Sequence, residues 1–264
     1  MISIVEPNRY SRLKELHKAR VEHHPLINAI LSGIQTGYVY SDPGDTILFV
    51  GSKAGFCLLC APDATSSSFA GEFWHFLQGN EELPSYIHIY GPPHPVQLQV
   101  VAWSEQYKIR RRVQFHRHGS SPTYEYEALL PHGYGIATIQ AIGCNRLEGV
   151  FPLRFSQRYW DSKQDFMTRA IGVGVVDEQG EPRAVCYSAA VVDGLAEMDT
   201  FVLPESRGRR LMRIVSEPFF NLAMDRKLIP QWDTFIENVP SYLLAQKFNL
   251  SPMREYDLLS LLRR

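Results

Sequence analysis

The sequence predicts a mixed α/β (α+β) fold in which a mostly antiparallel sheet is flanked by helices. Three observations carry that expectation. Short apolar runs separated by turn residues recur between Tyr38 and Cys60, the pattern of an antiparallel meander. Segments with helical spacing of their apolar residues alternate with such runs, as from Phe69 to Leu77. The stretch from Ile171 to Leu262 then reads as three strands, a helix, a strand, a helix and a closing strand.

Taken in order, Tyr10, Leu13, Leu16 and Leu31 among polar residues predict a helix interrupted near Pro25, because proline removes a backbone donor and crowds the preceding turn. Strands are expected at 38–40, 46–50 and 55–60, joined by Asp42-Pro43-Gly44-Asp45 and Gly51-Ser52-Lys53. A helix over 66–78, a strand over 85–90 and a helix from Pro95 to about Gln106 complete a mixed α/β first half. The pattern breaks at Gly119-Ser120-Ser121-Pro122 and again at Pro131-His132-Gly133. A division is therefore expected into an N-terminal mixed α/β domain, 1–130, and a second domain, 131–264.

In the second half a helical stretch over 156–170 precedes strands at 171–177, 183–192 and 195–203. Hairpin turns at Glu178-Gln179-Gly180-Glu181 and Asp193-Gly194 join those strands. Pro204 is expected to open a helix running to about Lys227, followed by a strand at 230–235, a helix at 240–248 and a strand near 253–262.

At 264 residues the chain can hold one large domain or two small ones with buried cores. A formal net charge of −1 excludes a global field that would draw it onto nucleic acid or an anionic membrane, so basic surface must be local. Two such clusters are Arg110-Arg111-Arg112 with His116-Arg117-His118, and Arg207 with Arg209, Arg210 and Arg213. The N-terminus lacks the basic start and apolar run of a signal peptide, and no later run is long enough to span a bilayer; a cytoplasmic location away from membranes is the expectation.

Cys57 and Cys60 form a C-x-x-C, but Phe56, Leu58 and Leu59 around them read as a buried strand and no second pair completes a zinc site. Cys144 and Cys186 stand alone. His116 and His118 flank Arg117 with no acidic partner nearby in sequence, so no metal is expected.

Four short stretches follow one another in the second half. They are Glu197-Met198-Asp199-Thr200, Ser206-Arg207-Gly208-Arg209-Arg210-Leu211-Met212, Pro230-Gln231-Trp232-Asp233, and Asn238 through Lys247 with Pro240, Ser241, Leu244 and Ala245. In order and spacing they resemble the GCN5-related N-acetyltransferase (GNAT) superfamily, and more narrowly its bacterial branch with an extra N-terminal domain. The resemblance extends over residues 171–250 and weakens over 131–170. It implies a splayed sheet and an N-acyltransferase whose donor is acetyl-coenzyme A or another acyl-coenzyme A.

A helix entry suits such a donor, because free amide groups and the helix dipole together stabilise a diphosphate. The resemblance implies that the turn Arg207, Gly208, Arg209, Arg210 and Leu211, with Met212 behind it, cradles that diphosphate, the arginines adding charge-assisted contacts. It implies that Phe201, Val202 and Leu203 pair their backbone with the pantetheine arm. Asn238 joins the same donor site, and Tyr187, Trp232 and Asp233 are candidates for substrate contact, Trp232 also being suited to the core. Three positions depart from the family pattern: Glu205 where Gln or Arg is usual, Arg210 where a small residue is usual, and Ala245 where a tyrosine acid is usual.

Acyl transfer to an amine needs a proton acceptor near the thioester and an acid for the departing thiolate. Side chains alternate along a strand, so Glu197, Asp199 and Phe201 share one face, which makes Glu197 or Asp199 the candidate base. Tyr242, four residues after Asn238, is the candidate acid in place of Ala245. The leading expectation is transfer to the amine of a small molecule. Two alternatives stand beside it. One is a larger donor such as aminoacyl-tRNA, drawn by the arginine clusters, and the other is a non-catalytic domain that binds a ligand or partner.

Overall fold

The computed structural model describes residues 2–62, 67–91, 94–104, 106–117 and 126–263. The expected break at Gly119-Ser120-Ser121-Pro122 and His118 lie outside the described residues. The chain divides into two compact units, one comprising Met1–Val113, Phe235–Glu237 and Arg254–Arg264, the other Gln114–Thr234 and Asn238–Met253.

The first unit opens with β1 (Ser3–Ile4), which pairs antiparallel with β2 after three short helices, α1 (Tyr10–Leu16), α2 (Lys18–Val21) and α3 (Pro25–Leu31). The break at Pro25 is where the sequence predicts it. Strands β2 (Gly37–Ser41), β3 (Leu48–Ser52) and β4 (Phe56–Cys60) form the expected antiparallel meander. Helix α4 (Ser67–Gly79) then carries the chain to β5 (Tyr86–Tyr90), which runs parallel to β4, as a crossover through a helix allows. Helix α5 (Pro95–Val101) is shorter than expected, and β6 (Tyr107–Arg117) follows it.

Because strand side chains alternate, the meander builds two cores. Phe49, Cys57, Leu59, Ile87 and Ile89 pack with Phe73, Leu77, Val96 and Val100 of α4 and α5. Val39, Leu48, Val50, Leu58 and Cys60 pack with Leu13, Val21, Ile27 and Ile30 of α1–α3. Cys57 and Cys60, three positions apart, therefore sit on opposite faces of β4, each buried; burial raises both thiols, that of Cys60 to about 12. Arg110 and Arg112 lie over the ring of Phe235 at 3.5 and 4.6 Å, and Arg111 pairs with Glu255 at 3.2 Å.

The second unit continues with α6 (Tyr126–Leu129), β7 (Gly135–Thr138), and the helices α7 (Ile139–Ile142), α8 (Cys144–Val150), α9 (Phe155–Arg158) and α10 (Lys163–Arg169). Strands β8 (Gly172–Val176), β9 (Pro182–Val192) and β10 (Leu195–Val202) are antiparallel neighbours, with β7 on β8. The turn between β9 and β10 is Asp193-Gly194, both at positive φ, as a two-residue hairpin of this twist requires.

Helix α11 (Leu211–Asp225) begins later than the sequence predicts. A single 3-10 turn occupies Pro204–Ser206, and Gly208 (φ +80°) and Arg210 (φ +59°) hold left-handed conformations that a right-handed helix cannot include. After it come β11 (Ile229–Phe235), α12 (Val239–Lys247) and β12 (Leu250–Leu262), whose residues Leu258–Leu262 pair antiparallel with β5. The fold is thus mixed α/β with mostly antiparallel pairing and flanking helices. Among the described residues no helix is long and apolar enough to cross a membrane.

Candidate active site

Strand β10 is held on both edges only at its start. Leu195, Ala196 and Glu197 pair in parallel with Ile229, Pro230 and Gln231, and that ladder ends there, while β10 continues to Val202 against β9 alone. Two local causes coincide at this point. Pro230 brings no N–H to the ladder. Ala189 is an extra residue in β9, since Glu197 faces Ala190 and Met198 faces Ser188, and such a bulge bends and twists the pair.

Beyond the bulge, Leu203 donates its amide to the Arg183 carbonyl at 3.0 Å, so Leu203 and Phe201 turn their backbone groups toward β9. Those of Thr200 and Val202 turn the other way, toward the parted edge. This sharpens the expectation for 201–203: the backbone available to an extended ligand belongs to Thr200 and Val202. The Thr200 amide also meets Asp199 Oδ1 at 2.9 Å.

Thr200, Phe201 and Val202 form one wall of a cavity of about 350 Å³. Its other wall is the entry to α11, from Ser206, Arg207 and Gly208 to Arg210, Leu211 and Met212. Among the described residues, no amide from Gly208 to Met212 donates to a backbone carbonyl. Gly208, Arg210, Leu211 and Met212, whose amides have no backbone acceptor, thus line the cavity at a helix N-terminus beside a parted strand edge, an arrangement suited to a diphosphate. Glu205 turns away from the cavity toward Arg183, 3.7 Å off, and Arg183 is itself bonded to Asp177 at 2.7 Å. Arg209 donates to the Tyr134 hydroxyl at 2.9 Å, leaving Arg207 and Arg210 as the cavity's cations.

On the adjoining strand positions, Asp199 Oδ2 accepts from the Tyr187 hydroxyl at 2.8 Å and from the Tyr159 hydroxyl at 3.3 Å, with Arg158 Nε at 3.7 Å. Tyr187 is fully buried between Phe155 and Phe166, and burial first, then the Asp199 charge, raises its phenol well above the ordinary range. Tyr159 is raised by the same causes, with Glu197 adding to them. Glu197 and Asp199 therefore both act on Tyr159, consistent with their shared face. Arg158 and Tyr159 were not legible as site residues: they lie about 40 positions before Asp199 in the short helices of this unit, where no motif marks them.

The remaining candidates are apart from the cavity. Trp232 is buried against Phe220 and Phe248 and donates to Ser241 Oγ at 3.2 Å, a core position. Asp233 is half-buried at the next position of β11. Asn238 is exposed and caps α12 through its carbonyl, which accepts from the Tyr242 amide at 3.0 Å. Tyr242 packs edge-on against Phe115 with ring centroids 5.3 Å apart and lines neither this cavity nor its neighbour. Ala245 is fully buried. Among the described residues no group of three or more His, Cys, Asp or Glu side chains is placed to hold a metal ion.

Comparison with known proteins shows the family and the fold. The family profile described as GNAT acetyltransferase matches residues 16–259. The uncharacterized N-acetyltransferase YdfB of Bacillus subtilis (strain 168) is 30% identical over 106 residues, spanning 40% of this chain and 40% of that protein, so less than half of the relative's length is matched. Among solved structures, a GCN5-related N-acetyltransferase-like protein from Streptococcus suis 89/1591 superposes with a TM-score of 0.73 at 16% identity, covering 96% of this chain and 98% of that one. A GCN5-related N-acetyltransferase from Sphaerobacter thermophilus gives 0.60 at 11% identity, covering 100% and 96%. At those identities the two structures speak to the fold alone.

Proposed function

Because the chain belongs to the GNAT acetyltransferase family, we propose that it is an N-acyltransferase, moving an acyl group, acetyl by default, from a coenzyme A thioester to the amine of a small molecule. The observation that carries this reading is the cavity in which unpartnered amides at the α11 entry meet the parted edge of β10. The diphosphate lies on the amides of Gly208 to Met212. The pantetheine arm runs along β10, bonding to the backbone of Val202 and Thr200 as an added strand does. That path leads the thioester toward Glu197, where β10 and β11 part.

Glu197 is the base in this reading. It removes the amine proton, the nitrogen forms its bond to the acyl carbon, and the carbon–sulfur bond breaks to release coenzyme A. Asp199 is suited to a different task. Two phenols, a guanidinium and an amide surround its carboxylate, and the Tyr187 bond ties β9 to β10. With Ala245 buried and Tyr242 packed on Phe115, no side chain in the cavity wall is an evident acid, and the thiolate takes its proton from water.

Calorimetry of the full chain with acetyl-coenzyme A tests the donor, and release of free thiol against a panel of amines tests the transfer. Absence of binding at millimolar donor overturns the reading. Binding without thiol release from any amine supports the non-catalytic alternative. The aminoacyl-tRNA alternative draws on Arg207, Arg209, Arg210 and Arg213 together with Arg110–Arg112, yet the latter side chains are already engaged by Phe235 and Glu255, which favours the smaller donor.

A further inference from the structure

Arg158, at the end of α9, approaches the face of β10 that carries Glu197 and Asp199, and its charge is only loosely matched there. Its Nε lies 3.7 Å from Asp199 Oδ2, too far for a hydrogen bond. Asp199 draws its hydrogen bonds from elsewhere: Oδ2 accepts from the hydroxyls of Tyr187 and Tyr159, and Oδ1 meets the Thr200 amide. The guanidinium carbon stands 5.1 Å from the centre of the Tyr159 ring. The Arg158 side chain is 35% exposed, beside an Asp199 side chain that is 28% exposed, so both open to solvent at one place. Among the described residues no other carboxylate pairs with Arg158.

That place is where an amine acceptor has to arrive. Glu197 and Asp199 share one face of the strand, and Tyr159, buried beside them, responds to the charge of both. An amine in neutral water is largely protonated, so a guanidinium close to its binding place repels it. The same guanidinium turns from a hindrance into an anchor when the acceptor brings an anion of its own. Its planar fork of donors matches a carboxylate with two parallel bonds. Such a residue discriminates twice, by attracting one class of amine and repelling the other.

Resting on the transferase reading above, we propose that the acceptor is an amine that also carries a carboxylate, an amino acid in the simplest case, and that Arg158 binds this carboxylate. The amine then lies against Glu197 and the carboxylate on the exposed side of Arg158. Asp199 orients Arg158 through its charge. Because Tyr187 and Tyr159 occupy Asp199 Oδ2, the donors of the guanidinium stay available to the substrate.

The test measures thiol release at saturating acetyl-coenzyme A from acceptors that differ only in the carboxylate: the common amino acids and 4-aminobutyrate, each against its own amide. The native protein is expected to favour the acid of at least one pair by about tenfold in kcat/KM, as for one good charge-assisted contact. Arg158→Met is expected to bring that ratio to within about twofold by lowering kcat/KM for the acid, and Arg158→Lys to keep part of the preference. Calorimetry with acetyl-coenzyme A and thermal melting should find donor affinity and fold intact in Arg158→Lys, which separates lost recognition from lost folding. A role confined to neutralising Asp199 would slow acids and amides alike, so a ratio unchanged in Arg158→Met overturns the inference. Equal turnover of acids and amides by the native protein also overturns it and leaves the transferase reading intact. Failure of the native protein to bind acetyl-coenzyme A, or to release thiol with any amine, removes that reading and the inference with it.

Discussion

Tyr187 donates its hydroxyl to Asp199 across directly paired positions of β9 and β10, at 2.8 Å and at the second register pair beyond the Ala189 bulge. The bond ties the two strands together just where β10 loses β11 as its other neighbour. It therefore stabilises a strand end that would otherwise fray, and it does so from a fully buried phenol.

Tyr187→Phe should keep the ring packing against Phe155 and Phe166 and lose only the hydroxyl. Hydrogen bonds to charged groups contribute about 1.5–3 kcal/mol, so a stability loss of that order is expected in urea unfolding. Acetyl-coenzyme A affinity should change little, because Tyr187 lines neither cavity. A loss below about 0.5 kcal/mol would show that water replaces the bond and that Asp199 is not anchored this way.

Glu197→Gln should lower turnover by about 10²–10⁴-fold while leaving donor affinity in place, the signature of a lost general base. Thiol release under saturating donor measures the first quantity and calorimetry the second. Turnover that stays at the native level across the pH range removes Glu197 from the chemistry. Asp199→Asn, by contrast, should act mainly on stability, since it disturbs a carboxylate already held by Tyr187, Tyr159 and Arg158.

The contrast between Glu197 and Asp199 shows what the sequence can and cannot convey. Alternation along β10 is local, so their shared face was legible, as were the Asp193-Gly194 turn and the order of elements from β8 to β12. Neither Gly208 nor Arg210 marks a break in the sequence, since a single glycine is tolerated in a helical pattern and nothing about an arginine forecasts a left-handed backbone, and so the expected helix starts at Pro204. The parting of β10 from β11 depends on which residues stay unpaired, and Arg158 and Tyr159 reach Asp199 only through tertiary packing. The short helices α7 and α8 are too brief to establish a helical period.

Arg263 is 1% exposed and donates to three backbone carbonyls, through Nε to Pro84 at 2.6 Å and through its two terminal nitrogens to Leu77 and Leu83. It joins the end of β12 to the end of α4 and the loop before β5. Arg263→Met fills similar space but leaves three acceptors bare, each costing about 1–3 kcal/mol, so a loss of at least about 3 kcal/mol is expected. Arg263→Lys should recover only part of it, because an ammonium lacks the planar fork that reaches several carbonyls. Chemical unfolding of the three proteins checks the order; equal stability of the Met and native proteins would show that the carbonyls find other donors.

His24 sets a pH dependence. Its ring is 2% exposed, stacked on Tyr90 at 4.2 Å and against the edge of Tyr256 at 5.5 Å. Burial above all, and then the positive charges of Arg254, His23 and Arg112, hold its pKa well below the usual histidine range. The folded protein therefore keeps His24 neutral where the unfolded chain, with an ordinary pKa near about 6.5, takes up a proton. Protonation of the unfolded state draws the equilibrium toward unfolding, so this contribution to stability is complete above about pH 6.5 and declines as pH falls toward the folded-state pKa. The slope attributable to this one group reaches at most about 1.4 kcal/mol per pH unit. His24→Phe retains an aromatic ring for Tyr90 and Tyr256 and has nothing to protonate. Urea unfolding from pH 8 to pH 5 should show the native protein losing stability more steeply than His24→Phe below pH 6.5, and identical slopes would mean that water or a proton reaches His24 in the folded state.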